Sequence, residues 1–294
     1  MSLPPFIRNL LPDWLLLRLA FRRRIGYWPR LNPPRSYSER LLKKLLLDDG
    51  KATAALADKV AVRQYVQERI GEQFLIPLVM VTNQPSDLLE AQLPKSIVVK
   101  SAAGSGMVTL IPDTSKAAWN ELIPRFTAWL GNDYSRQHRE RVYTHVTPQL
   151  LVEEMLSPHS ASPPADYKVY VFNGKARLLQ LISGRGTDIR QSIYFPDGRP
   201  MPSVSKGFPP HDEPPALTAD LPQLIEISEA LGTGLDFVRV DLYWVDGRAY
   251  FGELTFYPAA VRTSFLPQAF DEELGDVWLH GTEVDDKWAS ARPL

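Results

Sequence analysis

Two carboxylates sit inside one strand pair near the end of the chain, in Phe237-Val238-Arg239-Val240-Asp241-Leu242-Tyr243-Trp244 and Ala249-Tyr250-Phe251-Gly252-Glu253-Leu254-Thr255-Phe256. A two-residue turn at Asp246-Gly247 would point Asp241 and Glu253 to opposite faces. A three-residue loop, Val245-Asp246-Gly247 with Gly247 in the left-handed region, reverses the parity. Arg239, Asp241, Glu253 and Thr255 then share one face, and Val238, Val240, Leu242, Trp244, Leu254 and Phe256 share the other. Carboxylates about 5 Å apart on neighbouring strands repel unless a cation lies between them, and Mg2+ accepts one or two protein carboxylates together with water and phosphate oxygens. The alternative is a solvated acidic face that Arg239 neutralises.

Upstream, Lys100 ends an apolar strand and is followed by Gly104-Ser105-Gly106. Small residues there let backbone N–H groups approach phosphate while the lysine supplies a point charge. The spacing is not that of a P-loop, and an ordinary hairpin turn beside an exposed lysine is the competing reading. Glu153 and Glu154 close a buried strand before a proline-containing connector, where a hinge would hold adenine by its backbone and a ribose hydroxyl by a carboxylate. A charged strand end facing water is the alternative. Lys168 opens the next hairpin, inward or outward according to register. Arg185 and Arg190, in a loop with Gly184 and Gly186, suit bidentate pairing with phosphate or a substrate carboxylate, or are surface charge.

The elements that must position these groups are legible from periodicity and turn chemistry. Ser36, three residues before Glu39, is a capping-box start for a helix through Leu47, and a second helix spans about Asp58 to Ile70, ended by Gly71. Strands follow at Leu78–Val81, Ser96–Lys100, Met107–Ile111 and Leu150–Val152, with a helix from about Ser115 to Leu130. A connector covers 157–165. Tyr167 to Ile182 is a hairpin turning at Asn173-Gly174, a helix runs near Leu221 to Leu231, and the Phe237 to Phe256 hairpin closes the set. Hairpins interleaved with helices argue an α+β fold rather than a doubly wound parallel sheet.

The chain has 294 residues, 44% hydrophobic and 23% charged, with net charge −1. That near-neutral balance gives no field to gather nucleic acid. There are no cysteines, and the five histidines lack metal-ligand spacing, so a metal here is a hard ion held by oxygen. At the N-terminus, Leu10, Trp14, Leu17 and Phe21 share a helical face that ends in Arg22-Arg23-Arg24. The run is too short to span a bilayer, and its basic cluster follows the apolar segment, unlike a secretory signal. A helix lying on an anionic membrane surface and a helix packed on the protein body both remain open.

In order, Asp58-Lys59-Val60-Ala61-Val62-Arg63-Gln64-Tyr65-Val66, Lys100 with its glycine loop, Glu153-Glu154, Asp166 to Lys175, Arg239-Val240-Asp241-Leu242 and Gly252 to Pro258 resemble the ATP-grasp superfamily. In wording they resemble its TupA-like family of surface-polymer synthesis, from about Ser36 to about Trp278. The resemblance implies an ATP-grasp fold of two α+β subdomains clasping ATP, with a helical N-terminal extension. The expected divisions are 1–35 for the extension, 36–92, 93–156 with the glycine loop, and 157–294 with the metal-binding hairpin.

It also implies Lys100 and Lys168 as ATP lysines, Gly104, Ser105 and Gly106 on phosphate, Glu153 and Glu154 as hinge acids, and Asp241 and Glu253 as Mg2+ ligands. Lys168, Arg239 and Arg185 are then the catalytic group. Thr255 stands where most ATP-grasp enzymes carry Asn, a usual feature of the TupA-like branch, and Ala259 follows Pro258 where relatives tend to have Gly. The implied activity is Mg-ATP-dependent joining of a sugar acid or polysaccharide precursor to an amine or amino acid through an acyl phosphate, in the cytoplasm at or near the inner membrane face. A kinase acting on a sugar hydroxyl and a non-catalytic interaction protein are the alternatives.

Overall fold

The structure is a computed structural model that describes residues 12–156, 163–217 and 219–290. Its strands form two antiparallel sheets. The first contains β1 (Leu78–Thr82), β2 (Ile97–Ser101), β3 (Val108–Ile111) and β4 (Leu150–Glu154), in the order β1-β4-β2-β3. The second contains β5 (Asp166–Phe172), β6 (Lys175–Ser183), β7 (Arg190–Tyr194), β8 (Phe237–Val245) and β9 (Arg248–Thr255), in the order β7-β6-β5-β8-β9. The longer helices are α1 (Asp13–Ile25), α2 (Tyr37–Leu47), α3 (Val62–Ile70), α4 (Trp119–Leu130), α5 (Leu221–Gly232) and α6 (Gln268–His280). This is the α+β arrangement that the hairpin signals imply.

Local chemistry accounts for most boundaries. The Ser36 hydroxyl accepts the Glu39 N–H and the Glu39 carboxylate accepts the Ser36 N–H, so α2 begins with a complete capping box. The second helix starts later than expected, at Val62. The Asp58 carboxylate accepts the N–H groups of Val60 and Ala61 at 2.8 and 3.3 Å, a local turn that competes with helix. The helix expected from Ser115 likewise opens as a short 3-10 turn at Thr114–Lys116 before α4 begins at Trp119.

β7 takes Arg190 out of the loop expected for it. α6 was not anticipated, although Phe270, Leu274, Val277 and Trp278 are buried on it at helical spacing.

Two cores result. The smaller packs Ile97, Val99, Leu150 and Val152 against Leu122 and Phe126 of α4. The larger lies on both faces of the second sheet. Val169, Val171, Val238 and Val240 pack on the side of α5, while Tyr170, Phe172 and Phe237 lie beneath Tyr37 of α2, Phe265 and Trp278 of α6. Offset and edge-on rings, such as Tyr37 and Phe237 with centroids 5.3 Å apart, fill that layer. It covers only one end of the sheet face. The other end stays open toward the first sheet.

The segments set apart in sequence interlock. β1, from 36–92, is hydrogen-bonded to β4, and α2 is tied to α6 by Ser38, which donates to Asp271 through both N–H and hydroxyl. Leu10 lies outside the described residues. On α1, Phe21 is buried and Leu17 and Ile25 pack against the larger core, while Trp14 is 53% exposed. Among the described residues, no helix is long and apolar enough to cross a membrane.

Candidate nucleotide and metal site

The decisive local feature is a bulge. The last hairpin turns through two residues, Asp246 and Gly247, with φ of 52° and 73°, and Val245 faces Arg248. The three-residue loop expected from sequence is therefore not present. Pairing runs regularly to Leu242 opposite Phe251 and then shifts, so that Asp241 faces Glu253. Gly252 is the extra residue. A Cβ there would lie 2.9 Å from the Asp241 carbonyl oxygen, closer than side chains tolerate. The inserted residue changes the parity that the loop was expected to change, and Asp241 and Glu253 share one face after all.

Register extends that face across the sheet. Gln180, Lys168, Asp241 and Glu253 occupy successive strands in one row. Lys168 points inward and donates to Asp241, with Asp166 3.5 Å away. Arg239, two residues before Asp241 on the same strand face, grips it bidentately at 2.6 and 2.7 Å. It also donates to Thr255 at 3.0 Å, and Thr255 donates to Glu253 at 3.1 Å. Burial alone would favour the neutral form of Asp241, but Arg239 and Lys168 outweigh it and hold the carboxyl below its usual range. Glu253 is the more accessible acid, with side-chain exposure of 31%.

A cavity of about 710 Å³ lies between the sheets. From the first sheet and its loop it receives Lys100, Ser105, Gly106, Glu153 and Glu154. From the second it receives Lys168, Asp241 and Glu253, with Arg185 from the loop after β6. Val98, Met107, Val108 and Leu110 make part of its wall apolar. Its size and its few convergent polar groups are those of a small-molecule site.

Several residues are placed more specifically than the sequence allowed. Glu153 is buried, and both of its oxygens are taken, by Lys100 at 2.6 Å and Arg63 at 2.8 Å. Glu154 is exposed, and its N–H is bonded to the Pro77 carbonyl. Arg185 lines the cavity and pairs with Asp166, whereas Arg190 pairs with Asp188 and Asp212 and is not among the lining residues. Arg239 stands behind Asp241.

Lys59, quoted above only as part of a motif, lines the same cavity. Its ammonium donates to the Gly104 carbonyl at 2.5 Å and lies 3.9 Å from Glu253. Burial pushes its pKa down, and the Glu253 charge partly opposes this. The sequence signal was weak, because an Asp-Lys pair before a helix is ordinary surface composition.

A second cluster lies outside the cavity lining, with Tyr134 packed against Gly104. Glu140 is buried and pushed up to about 8, chiefly by burial; the Arg262 charge opposes this and the Glu253 charge adds to it. Tyr134 hydrogen-bonds to Glu140 and stacks on His138 with ring centroids 4.1 Å apart. Arg262 donates to Nδ1 of His138 at 3.1 Å. It follows Ala259, Ala260 and Val261, all left-handed with φ of 53°, 49° and 56°. Each such residue costs on the order of 1–2 kcal/mol, and a β-branched residue there is rare.

The donor set suits a hard divalent ion. Two carboxylates pair across strands, and among the described residues no group of three His, Cys, Asp or Glu makes an all-protein cage. That is the pattern for Mg2+ held by one or two carboxylates plus phosphate oxygens and water. Lys59, Lys100 and Lys168 supply three ammonium groups to the same space.

No curated protein sequence matches the chain. Among solved structures, it is similar to the ATP-grasp ligase PsnB complexed with a minimal precursor, at 15% identity, 83% of this chain, 64% of that chain and TM-score 0.37. It is also similar to D-alanine-D-alanine ligase from Helicobacter pylori, at 15%, 83%, 60% and 0.41. A third is phosphoribosylamine-glycine ligase from Thermotoga maritima, at 13%, 86%, 61% and 0.47. In each case the chain spans less than two thirds of the protein it matches. The family described as TupA-like ATPgrasp matches residues 39–279, which carry both sheets and every residue of the cavity row, and the chain belongs to the TupA-like ATP-grasp family.

Proposed function

We propose that the chain is an ATP- and Mg2+-dependent carboxylate-amine ligase. The observation that carries this reading is the convergence of Lys59, Lys100 and Lys168 on one cavity that also contains the paired acids Asp241 and Glu253. Members of the ATP-grasp family are ATP-dependent ligases that use Mg2+.

Lys100 and Lys59, with the 104–106 loop, hold nucleotide phosphates from the first sheet, and the apolar wall takes the base. Glu153 fixes Lys100 and Arg63 in place, and Glu154 is the acid available to the ribose. Asp241 and Glu253 would hold Mg2+, which when bound would neutralise charge on the phosphates. A carboxylate oxygen of the first substrate attacks the γ-phosphorus and ADP departs. An amine then attacks the acyl carbon of the acyl phosphate, the C–O bond to phosphate breaks, and inorganic phosphate departs carrying the proton the amine loses. Lys168 and Arg185 stabilise negative charge as it moves from the phosphoryl group, Arg239 acts from behind Asp241, and enclosure between the sheets limits hydrolysis.

Kinship with the TupA-like family supports a surface-polysaccharide precursor bearing a sugar acid as the first substrate. The exposed Trp14 and Leu19 of α1, beside Arg22, Arg23 and Arg24, suit a peripheral contact of this cytoplasmic protein with the anionic inner membrane face. Co-sedimentation with anionic vesicles that persists in the Trp14→Ser, Leu19→Ser variant would sink that contact.

The central test is calorimetric binding of a non-hydrolysable ATP analogue with and without Mg2+, followed by hydroxylamine trapping with a panel of carboxylates. Mg2+-dependent binding and a hydroxamate product are expected. Nucleotide binding with phosphate delivered only to hydroxyl acceptors would replace the ligase with a kinase, and no binding would leave a non-catalytic protein.

A further inference from the structure

A second cavity, of about 680 Å³, shares only Ile76 with the lining of the nucleotide cavity among the described residues. It lies between α3, the 3-10 turn Glu72–Phe74, the chain leading into β1, and the start of β9. Two guanidiniums face it, those of Arg63 and Arg248, with one carboxylate, Glu72. None of these three belongs to the machinery that the ligase reading requires.

Both guanidiniums are fixed in place with donors to spare. Arg248 donates to the Gln73 carbonyl, lies 5.0 Å from the centre of the Tyr250 ring, and has no ion-pair partner among the described residues. Arg63 donates to Glu153 at 2.8 Å and to the Ile76 carbonyl at 2.9 Å. A guanidinium has five donors, so each retains most of its fork. Gln64 and Gln73 commit an amide hydrogen to Glu68 and to the Ile70 carbonyl, at 2.9 and 3.0 Å, whereas the Gln67 amide, which also lines the cavity, makes no hydrogen bond among the described residues. Glu72 pairs with neither arginine.

Arg63 also joins this cavity to the nucleotide site. Glu153 is buried, and its two oxygens are divided between the cavities, one held by Arg63 and the other by Lys100 at 2.6 Å. A buried carboxylate that keeps one cation stays compensated, and one that loses both is left as an uncompensated charge, which is strongly unfavourable. Anions that draw Arg63 and Lys100 away at the same time therefore oppose each other.

We propose that this second cavity is a binding site for a small oxyanion, a phosphoryl or dicarboxylate group held between Arg63 and Arg248, and that its occupation weakens nucleotide binding through Glu153. The site stands on the cavity itself, and the coupling rests on the reading of Lys100 as a phosphate ligand. Planar guanidinium forks match oxyanion oxygens bidentately, and Gln67 supplies a further donor. Leu75 and Pro77 offer an apolar wall to whatever carries the group.

Selenate is the probe, located in crystals of the nucleotide-free chain by its anomalous scattering and titrated by calorimetry. It is expected between Arg63 and Arg248. Arg248→Gln should weaken that binding about tenfold, the scale of a lost charge-assisted hydrogen bond, while affinity for the ATP analogue and Mg2+ alone stays within twofold. Saturating the native chain with the analogue and Mg2+ should weaken the Arg248-dependent selenate binding about tenfold, and selenate should weaken the analogue by the same factor. Selenate held by the phosphate lysines themselves would give a loss that Arg248→Gln leaves unchanged.

No selenate in this cavity, or undiminished binding by Arg248→Gln, overturns the site. Equal selenate affinity with and without the analogue overturns the coupling. Displacement of selenate by inorganic phosphate assigns a phosphoryl ligand and displacement by malonate a dicarboxylate, and failure of both overturns the oxyanion class. If the ATP analogue does not bind at all, the ligase reading fails, and the crystallographic position of selenate still decides whether the second cavity is an anion site.

Discussion

Lys168 and Asp241 are direct cross-strand partners on β5 and β8, and the ammonium of one donates to the carboxylate of the other while Arg239 grips the same carboxylate along β8. The acid expected to hold Mg2+ is thus balanced in advance by two cations. They keep Asp241 ionised in a buried place, Lys168 from within the cavity lining and Arg239 from behind the carboxylate.

That balance makes Arg239 a stability residue as well as a site residue. Arg239→Met leaves Asp241 short of its bidentate partner and should cost about 3–5 kcal/mol in urea unfolding, the usual penalty for breaking a buried pair. Adding Asp241→Asn should recover part of the loss. A single variant as stable as the native chain would show that Lys168 alone suffices.

Glu253 is the proposed metal ligand, and Thr255 donates to its carboxylate at 3.1 Å. Glu253→Ala should remove the Mg2+ dependence of nucleotide binding altogether. Thr255→Val deletes the hydroxyl that orients Glu253 and should weaken Mg2+ binding about 10–100-fold, as for outer-shell partners of metal ligands. Titration of Mg2+ against the nucleotide complex of each variant separates the two effects.

Gly252 has no room for a side chain beside the Asp241 carbonyl. Gly252→Ala should destabilise by about 1–3 kcal/mol, as overpacking does, and shift Glu253 off its partner. The check is a fall in both urea midpoint and Mg2+-dependent nucleotide affinity. Loss of stability with affinity intact would mean that the bulge does not set the site.

Lys206 gives the chain a pH signature. Burial lowers its pKa to about 8, while Asp271 opposes the shift. The unfolded value is about 10.4, so between roughly 8 and 10 the unfolded state binds more protons and native stability rises with pH, by at most about 1.4 kcal/mol per unit. That contribution is complete above about 10.4 and is lost as pH falls through 8. Unfolding curves from pH 7 to 10 should show the rise for the native chain relative to Lys206→Met.

Much of the secondary structure was readable because its causes are local. Ser36 and Glu39 cap α2 within one turn, and Asn173-Gly174 and Asp246-Gly247 supply consecutive left-handed residues whatever the rest of the chain does. Asp58 shows the limit of that logic, since its own side chain captured the N–H groups that would have begun the helix. The shared face of Asp241 and Glu253 was read correctly for an incorrect reason. Apolar alternation demanded a change of parity, but only the packed sheet decides whether a loop or a bulge provides it.

The sequence by itself determined the α+β class, the order of the hairpins, and the residue types available to hold phosphate and a hard cation. Those follow from periodicity, turn chemistry and charge, which act over a few residues. Only the tertiary structure decided that Glu153 is consumed by Lys100 and Arg63, that Lys59 reaches the glycine loop and Glu253, and that Arg262 donates to His138. Such contacts join segments far apart in the chain, and they are fixed by strand register and by how the two sheets pack, for which no local pattern carries the information.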